Sequence, residues 1–496
     1  MSCRNCGFVL EPQPQNTTSD SLVSQILRGS RPLLDSDHAL LSAEIVELEQ
    51  QQAMYAAQLE EIQLCRCAVL KALESRKSVY APIRRLPRDI LIEIFDSVCD
   101  SWWQEADENL SLRYRRHSLD VSGPLWALGR VCRIWRDTLH SSPASWARKL
   151  VVRAPFSKYG LENLQTYLEH TGEHRLNLQI FCRNPAGDDA ILSLLVQSCQ
   201  RWKNLSINAP KFHMLHFESI SHLPALQTID IVIYNDHEYH SDVCLSAPQL
   251  WQARLGGQGL HQMKLPPGIT HLSGPITCLE DLRLLSKLPN LRRCHLWMKE
   301  AIKEEPVVTM AQLTDLYVGN MKVLSVLSAP LLISLTITPF LQPSYSSSPH
   351  ELIARFLHRS RCHLESVSLG KEIFPSSADS SLFTLEACST VSRLKLELPP
   401  PMIFVEALTS PSVLPNLRHL ILCISKHSQD QWTTILGMVR SRRDAGMLKL
   451  AEVQSEEEGF EHFWEEDIRA LTRDDFEMRV AKWDPPRQDQ YLLGMF

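Results

Sequence analysis

The chain has 496 residues, 44% of them hydrophobic, and a formal net charge of -6. That is long and apolar enough for several domains with buried cores, and it excludes a protein that holds nucleic acid chiefly by neutralising phosphates, which needs a clustered basic surface. The 14 cysteines are scattered through apolar segments such as Ser198-Cys199, Val131-Cys132 and Leu422-Cys423, where cysteine behaves as a small hydrophobe, so a reducing compartment is expected and a disulfide scaffold is not.

In chain order, residues 1–34 are expected to be a disordered arm, because the stretch 7–32 is rich in Pro, Gln, Ser and Thr and shows no sustained periodicity. The opening Met-Ser-Cys-Arg-Asn-Cys-Gly lacks a basic region ahead of a long apolar stretch, so no signal peptide is expected. A 3-4 spacing then starts: Leu41, Ile45, Leu48, Gln52, Tyr55, Leu59, Ile62, Arg66, Val69, Leu73. This is a heptad seam. Neither Pro nor Gly occurs between Pro32 and Pro82, which predicts one long helix over 35–79. Gln52 and Arg66 weaken the seam or set its register. Two readings stand: an amphipathic helix lying on its own chain, or a coiled coil that self-associates through residues 41–76.

Residues 80–152 form a compact helical module. In Leu86-Pro87-Arg88-Asp89-Ile90-Leu91-Ile92-Glu93-Ile94-Phe95, Pro87 suits a first helical turn, and Ile90, Leu91, Ile94, Phe95 and Val98 form one apolar stripe. A second helix carries Leu125, Leu128, Cys132, Trp135 and Leu139 at spacings of 3, 4, 3, 4. A mid-helix Trp135 can be core or contact.

These residues resemble the F-box: Leu86-Pro87, Ile90-Leu91, Ile94-Phe95, Val131-Cys132, Trp135-Arg136, Pro143 and Trp146 fall where that pattern expects them. Phe95 to Val131 spans 36 positions, more than the family usually has, so residues 102–123 look like an insertion that should loop out. The heptad helix running into Pro82-Ile83-Arg84-Arg85-Leu86-Pro87 is also similar to a class of fungal, basidiomycete-like F-box proteins. The resemblance implies a three-helix unit binding a Skp-type adaptor, which joins it to a cullin scaffold carrying a RING subunit. Its implied contacts are Leu86, Pro87, Ile90, Leu91, Ile94, Phe95, Val131, Cys132 and Trp135. A helical hairpin that merely packs on the following domain is the plainer alternative.

Residues 153–425 are expected to be a repeat domain, because between 202 and 424 the pattern apolar-x-x-apolar-x-apolar recurs at Leu226-Ile229-Ile231, Leu250-Ala253-Leu255, Leu291-Cys294-Leu296, Leu313-Leu316-Val318, Leu332-Leu335-Ile337, Leu364-Val367-Leu369, Val391-Leu394-Leu396 and Leu417-Leu420-Leu422. Each unit has one short strand that cannot bury its apolar side alone, so stacking into a parallel sheet completes the core. This resembles an irregular leucine-rich repeat, with eight recurrences, uncertain by two, and Asn320 as the one plausible turn asparagine. The strand positions between the apolar ones would face a concave side and display Trp251, Arg254, Arg292, Arg293, His295, Trp297, Tyr317, Arg393, Lys395, Arg418 and His419. Either this face grips an acidic or phosphorylated protein through its guanidinium groups, or it is a solvated face with scattered charges. Residues 426–496 should be a C-terminal cap and acidic tail.

The fold expected is therefore multi-domain: a long N-terminal helix and an all-α three-helix module, then an α/β leucine-rich-repeat-like solenoid with a parallel sheet. No apolar run spans a bilayer, Leu331 to Ile337 being among the longest, so a cytoplasmic or nuclear protein is expected. Cys3-x-x-Cys6 lacks a second ligand pair, Cys65-x-Cys67 lies within the heptad helix, His350-Glu351 has Ala354 where a second zinc ligand would stand, and Gly256-Gly257-Gln258-Gly259 lacks a following Lys. No metal, cofactor or catalytic residue is expected. The function implied is that of a non-catalytic substrate receptor in a ubiquitin ligase of the SCF type, with an unknown protein target. The competing function is an F-box and repeat scaffold acting outside ubiquitination.

Overall fold

The computed structural model describes residues 18–108, 116–182, 189–234, 239–257, 259–298, 302, 306–338, 349–373, 380–398, 403–424, 429–456, 465–472 and 475–483. Two compact units divide the chain, Met1–Ile90 and Leu91–Phe496.

In the first unit, helix α1 (Thr18–Leu27) occupies part of the segment expected to be a disordered arm. Leu22, Val23 and Ile26 are half-buried, and Ser19 Oγ donates to Glu44 Oε1 at 2.6 Å. A short helix survives in a polar stretch because its few apolar residues sit a turn apart and have a neighbouring helix to rest on. Residues 1–17, with Cys3 and Cys6, lie outside the described residues. Helix α2 (Asp35–Val79) has 45 residues and is about 67 Å long. Its first turn is fixed by Asp37, whose carboxylate takes two bonds from Arg31 at 3.0 Å. The predicted single rod is present. Among the described residues, no helix is long and apolar enough to cross a membrane.

In the second unit, helix α3 (Arg88–Glu108), which begins just before the boundary, is followed by α4 (Pro124–Val131), α5 (Arg133–His140) and α6 (Pro143–Ala147). The expected second helix is thus broken in two at Cys132, which is extended at φ -160° and ψ 171°. The break is chemically supported from both sides. Arg136 N–H bonds Cys132 O at 3.1 Å to start α5, and the Arg136 guanidinium donates to Gly129 O at 2.9 Å, satisfying a carbonyl that the end of α4 would leave orphaned.

A sheet of 14 strands then runs in strict chain order, every pair parallel. It comprises β1 (Leu150–Arg153), β2 (Leu176–Phe181), β3 (Trp202–Pro210), β4 (Thr228–Tyr234), β5 (Gln252–Gly256), β6 (His271–Ile276) and β7 (Arg293–Met298). A two-stranded side ladder, β8 (Val308–Thr309) with β10 (Leu327–Ser328), flanks β9 (Asp315–Val318). The main sheet continues through β11 (Ser334–Ile337), β12 (Ser366–Leu369), β13 (Arg393–Leu398), β14 (His419–Ile424), β15 (Leu450–Ser455) and β16 (Glu477–Lys482). Strands stacked in chain order with one crossover each are a repeat-like α/β solenoid.

Register makes the repeat explicit. All eight apolar triplets are buried, and their middle members, with Leu272 of β6 between the second and third, form one unbroken row, Ile229, Ala253, Leu272, Cys294, Leu316, Leu335, Val367, Leu394 and Leu420. Strand entry repeats too. Thr270 O, Arg292 O, Thr314 O, Ile333 O, Glu365 O, Ser392 O and Arg418 O each accept two successive N–H groups of the next strand. Asn320 performs the turn role assigned to it, donating to Met298 O at 3.0 Å and accepting from Lys322 N at 2.9 Å. At the end of β5, Gly257 has φ +108° and an added Cβ would lie 2.6 Å from Ile233 O, so only glycine fits that turn.

The sheet extends beyond the expected repeat range at both ends: β1 starts at Leu150, and β15 and β16 lie within 426–496. The repeat number therefore exceeds the expected eight by more than two. Of the strands outside the eight triplets, β6 has Gly274 and β15 has Ala451 in the inward rows, while β1, β2 and β3 keep aliphatics there.

Candidate protein-interaction surfaces

The helical residues carrying the F-box resemblance separate into core and surface. Leu91 and Phe95 are fully buried, as is Leu139, and the Phe95 ring lies 5.0 Å from that of Trp135. Leu91 and Phe95, expected as partner contacts, are thus inside the module. A stripe spanning 90, 91, 94, 95 and 98 is wider than one contact surface, and its middle is consumed by the helix's own packing. Trp135 and Ile94 are half-buried, and Cys132 is the half-buried hinge. Val131 stays 60% exposed, Ile134 46% and Val98 44%. In the first unit, Leu86 is half-buried and Pro87 and Ile90 are exposed. Ile134 and Val98 are apolar surface that the motif pattern did not assign.

The described parts of the expected insertion, residues 102–108 and 116–123, do not loop out. α3 continues through Trp102 and Trp103 to Glu108, and residues 116–123 return along the free edge of β1. Ser118 N–H donates to Val151 O at 2.8 Å, Val151 N–H donates to Ser118 Oγ at 2.9 Å, and Leu119 is buried. The Trp126 indole donates to Ser118 O at 2.9 Å. This segment satisfies an edge strand that would otherwise offer unpaired N–H and C=O groups, and it leaves Val131 and Ile134 uncovered. Trp146 ties the helices to the sheet: its ring contacts Trp126, Tyr167 and His170 at 5.5, 5.1 and 4.7 Å. Arg148 adds ion pairs to Asp96 at 3.1 Å and Asp100 at 2.7 Å. Between α3, α4 and β1 lies a cavity of about 40 Å³ lined by Trp102, Trp103, Trp126 and Tyr167, roomy for water but far below the few hundred Å³ of an organic-ligand site.

The second surface is the open face of the sheet. Register sets one row through Asp230, Arg254, Ser273, His295, Tyr317, Thr336, Ser368 and Lys395, and an earlier row through His271, Arg293, Asp315, Ser334, Ser366, Arg393 and His419. Trp297 belongs to a third row, opposite Pro275, and is buried. Trp251, Arg292 and Arg418 do not lie within strands as expected: each immediately precedes one and sits at the strand-entry rim, exposed. A repeat pattern fixes spacing but not where the ladder begins, so these residues were displaced by a single position.

Much of the basic charge is matched across strands. Arg254 pairs with Asp230 at 3.5 Å, and Arg293 with Asp315 at 3.5 Å. Sequence reading missed both aspartates, although Asp230 occupies the same x position between Ile229 and Ile231 that the basic residues occupy in later repeats. Burial raises the Asp230 carboxyl, while Arg254 and the Ser206 hydroxyl pull it down. His295 is buried beside Tyr317 and Trp297, and burial, aided by Arg254, pushes its imidazole down to about 4. It is a neutral packing residue, not a cationic contact. Towards the C-terminal strands the balance changes: Arg393, Arg418 and Lys449 are exposed, with Lys395 and His419 half-buried among them.

One cluster of metal-ligand types occurs among the described residues: His261, Cys278 and Asp281, their donor atoms within 4.8 Å. Asp281 is fully buried and already saturated. It accepts from His261 N and Nδ1 at 2.6 and 2.9 Å, and from Thr277 N and Oγ1 at 2.6 and 2.9 Å. Cys278 Sγ approaches the same Nδ1, at 3.3 Å, that Asp281 holds, so no relay through both ring nitrogens exists. Burial raises the Cys278 thiol, opposing thiolate formation. The cluster fixes the start of the helix Leu279–Ser286.

No protein-family model matches this chain, and no curated protein does.

Proposed function

We propose that this chain is the non-catalytic substrate-receptor subunit of a cullin-RING ubiquitin ligase, binding a Skp-type adaptor through an F-box over residues 80–152 and a protein target through leucine-rich-repeat-like units. The motif spacing from Leu86 to Trp146 supports the first half. The observation that carries it physically is the pair Val131 and Ile134, aliphatic side chains left open at the α4–α5 hinge while Leu91, Phe95 and Leu139 close the module's own core. Aliphatics kept on the surface of a small helical module favour a partner.

For the target, the best-placed residues are Arg393, Arg418 and Lys449 with Lys395 and His419, on the adjacent strands β13 and β14 and at the entry to β15. Guanidinium forks beside an ammonium suit carboxylate or phosphate groups. Arg254 and Arg293, already matched by aspartates, contribute less. The mechanism is proximity: the repeats hold the target while the adaptor joins it to the transferring enzyme.

Affinity capture of the full chain tests this, comparing wild type with Leu86→Ala/Pro87→Ala and with Val131→Asp. Wild type is expected to bring down a Skp-type adaptor and a cullin, and both variants to lose them together. Adaptor without cullin would favour the scaffold function outside ubiquitination, and no adaptor at all would reject the F-box assignment.

A further inference from the structure

Helix α2 carries a heptad seam that the described chain leaves open. With Ile45, Gln52, Leu59, Arg66 and Leu73 at a, and Leu41, Leu48, Tyr55, Ile62 and Val69 at d, the period of 3.5 holds from 41 to 73, about 48 Å of helix. Apart from half-buried Leu41, every apolar member of the seam is exposed. A 3.5-residue period matches another helix of the same period better than a flat surface, because the two must supercoil to keep the stripe in contact.

The geometry points to an antiparallel coiled-coil dimer between two copies of this chain, centred on Ala57. Inverting one helix about that residue places Ile45 opposite Val69 of the second copy, Gln52 opposite Ile62, Leu59 opposite Tyr55, Arg66 opposite Leu48 and Leu73 opposite Leu41. Each a position meets a d position without gaps. A parallel pair would instead stack Arg66 on Arg66 and Gln52 on Gln52 in the seam, and bring Glu44 at g beside Glu49 at e of the other helix, with like charges facing.

Charge along the helix agrees. Residues 35–57 hold Asp35, Asp37, Glu44, Glu47 and Glu49 and neither Lys nor Arg, whereas 58–79 hold Arg66, Lys71, Arg76 and Lys77 against Glu60, Glu61 and Glu74. Antiparallel alignment lays the acidic half on the basic half and sets Arg66 against Leu48, which Glu47 and Glu49 flank in sequence. The Arg66 stem then packs while its head reaches a carboxylate. The inference is independent of the ligase proposal, since it uses α2 alone.

Light scattering of the full chain, with Leu59→Asp/Ile62→Asp as the seam variant, is expected to give twice the 56.6 kDa chain mass for wild type and the single mass for the variant. Orientation is read by a short thiol cross-linker in a background with Cys3, Cys6, Cys65 and Cys67 replaced by serine. Differently tagged Gln52→Cys and Ile62→Cys chains are mixed, and the cross-tag product is expected to dominate. Self-linked Gln52→Cys product in its place would mean a parallel pair and overturn the proposed orientation. A wild-type mass equal to one chain would overturn self-association altogether.

Discussion

Phe95 and Val131 belong to the same motif, one in the core and the other on the surface. Phe95→Ala removes a fully buried ring packed on Trp135, and unfolding measured by denaturant should show a loss of about 3–5 kcal/mol. Val131→Asp changes an exposed position and should leave stability within about 0.5 kcal/mol. His295 yields a pH prediction. Its imidazole is near 4 in the fold and near its ordinary 6.5 when unfolded. Between those values the unfolded chain binds a proton that the folded chain refuses, so this group's contribution to stability is full above 6.5 and falls as pH drops towards 4. Replacing it by Gln should flatten that part of the acid profile, worth up to about 3 kcal/mol, as read from urea midpoints at neutral and acid pH. Residue identity was legible in the sequence at all these positions. Which side each faced was not, because an apolar stripe five positions wide does not say where the module's own packing ends.

Among the elements, α2 and the eight repeat strands were plain in the sequence, since an uninterrupted heptad and a recurring x-apolar-x-apolar pattern each admit few structures. The break at Cys132 was not, because the 3-4 spacing continues across it, and the bonds that hold the hinge, from Arg136 N–H to Cys132 O and from the Arg136 guanidinium to Gly129 O, leave no mark in the apolar pattern. Nor was the course of residues 116–123, whose partners on β1 and at Trp126 are chosen by tertiary contact. Ser118→Ala tests that segment. It strips the bond that Val151 N–H makes to the hydroxyl at 2.9 Å, leaving a buried donor unsatisfied, and thermal melting should report a loss of about 1–3 kcal/mol.

Across the whole chain, the fold combines a long exposed helix with a continuous parallel sheet whose strands follow one another in order. Repeat units of this kind are stabilised chiefly by their neighbours, so substitutions in end strands such as β16 should unfold locally before the centre does, visible as earlier amide exchange there. The sequence announced the middle of the sheet and understated its ends: strands at Leu150, Leu450 and Glu477 obey the same register, with Ala451 the small residue in the inward row of β15. The candidate surfaces were legible as motifs and basic positions. Their neutralisation by Asp230 and Asp315 required the register between strands, which no single strand's sequence contains.

The most direct measurement is calorimetric titration of the purified full chain with a purified Skp-type adaptor from the same organism. The account predicts one adaptor per chain with a Kd of about 1 μM or tighter, weakened at least about tenfold by Val131→Asp/Ile134→Asp without loss of folding. Absence of binding at about 50 μM, or equal affinity for the folded variant, would contradict it.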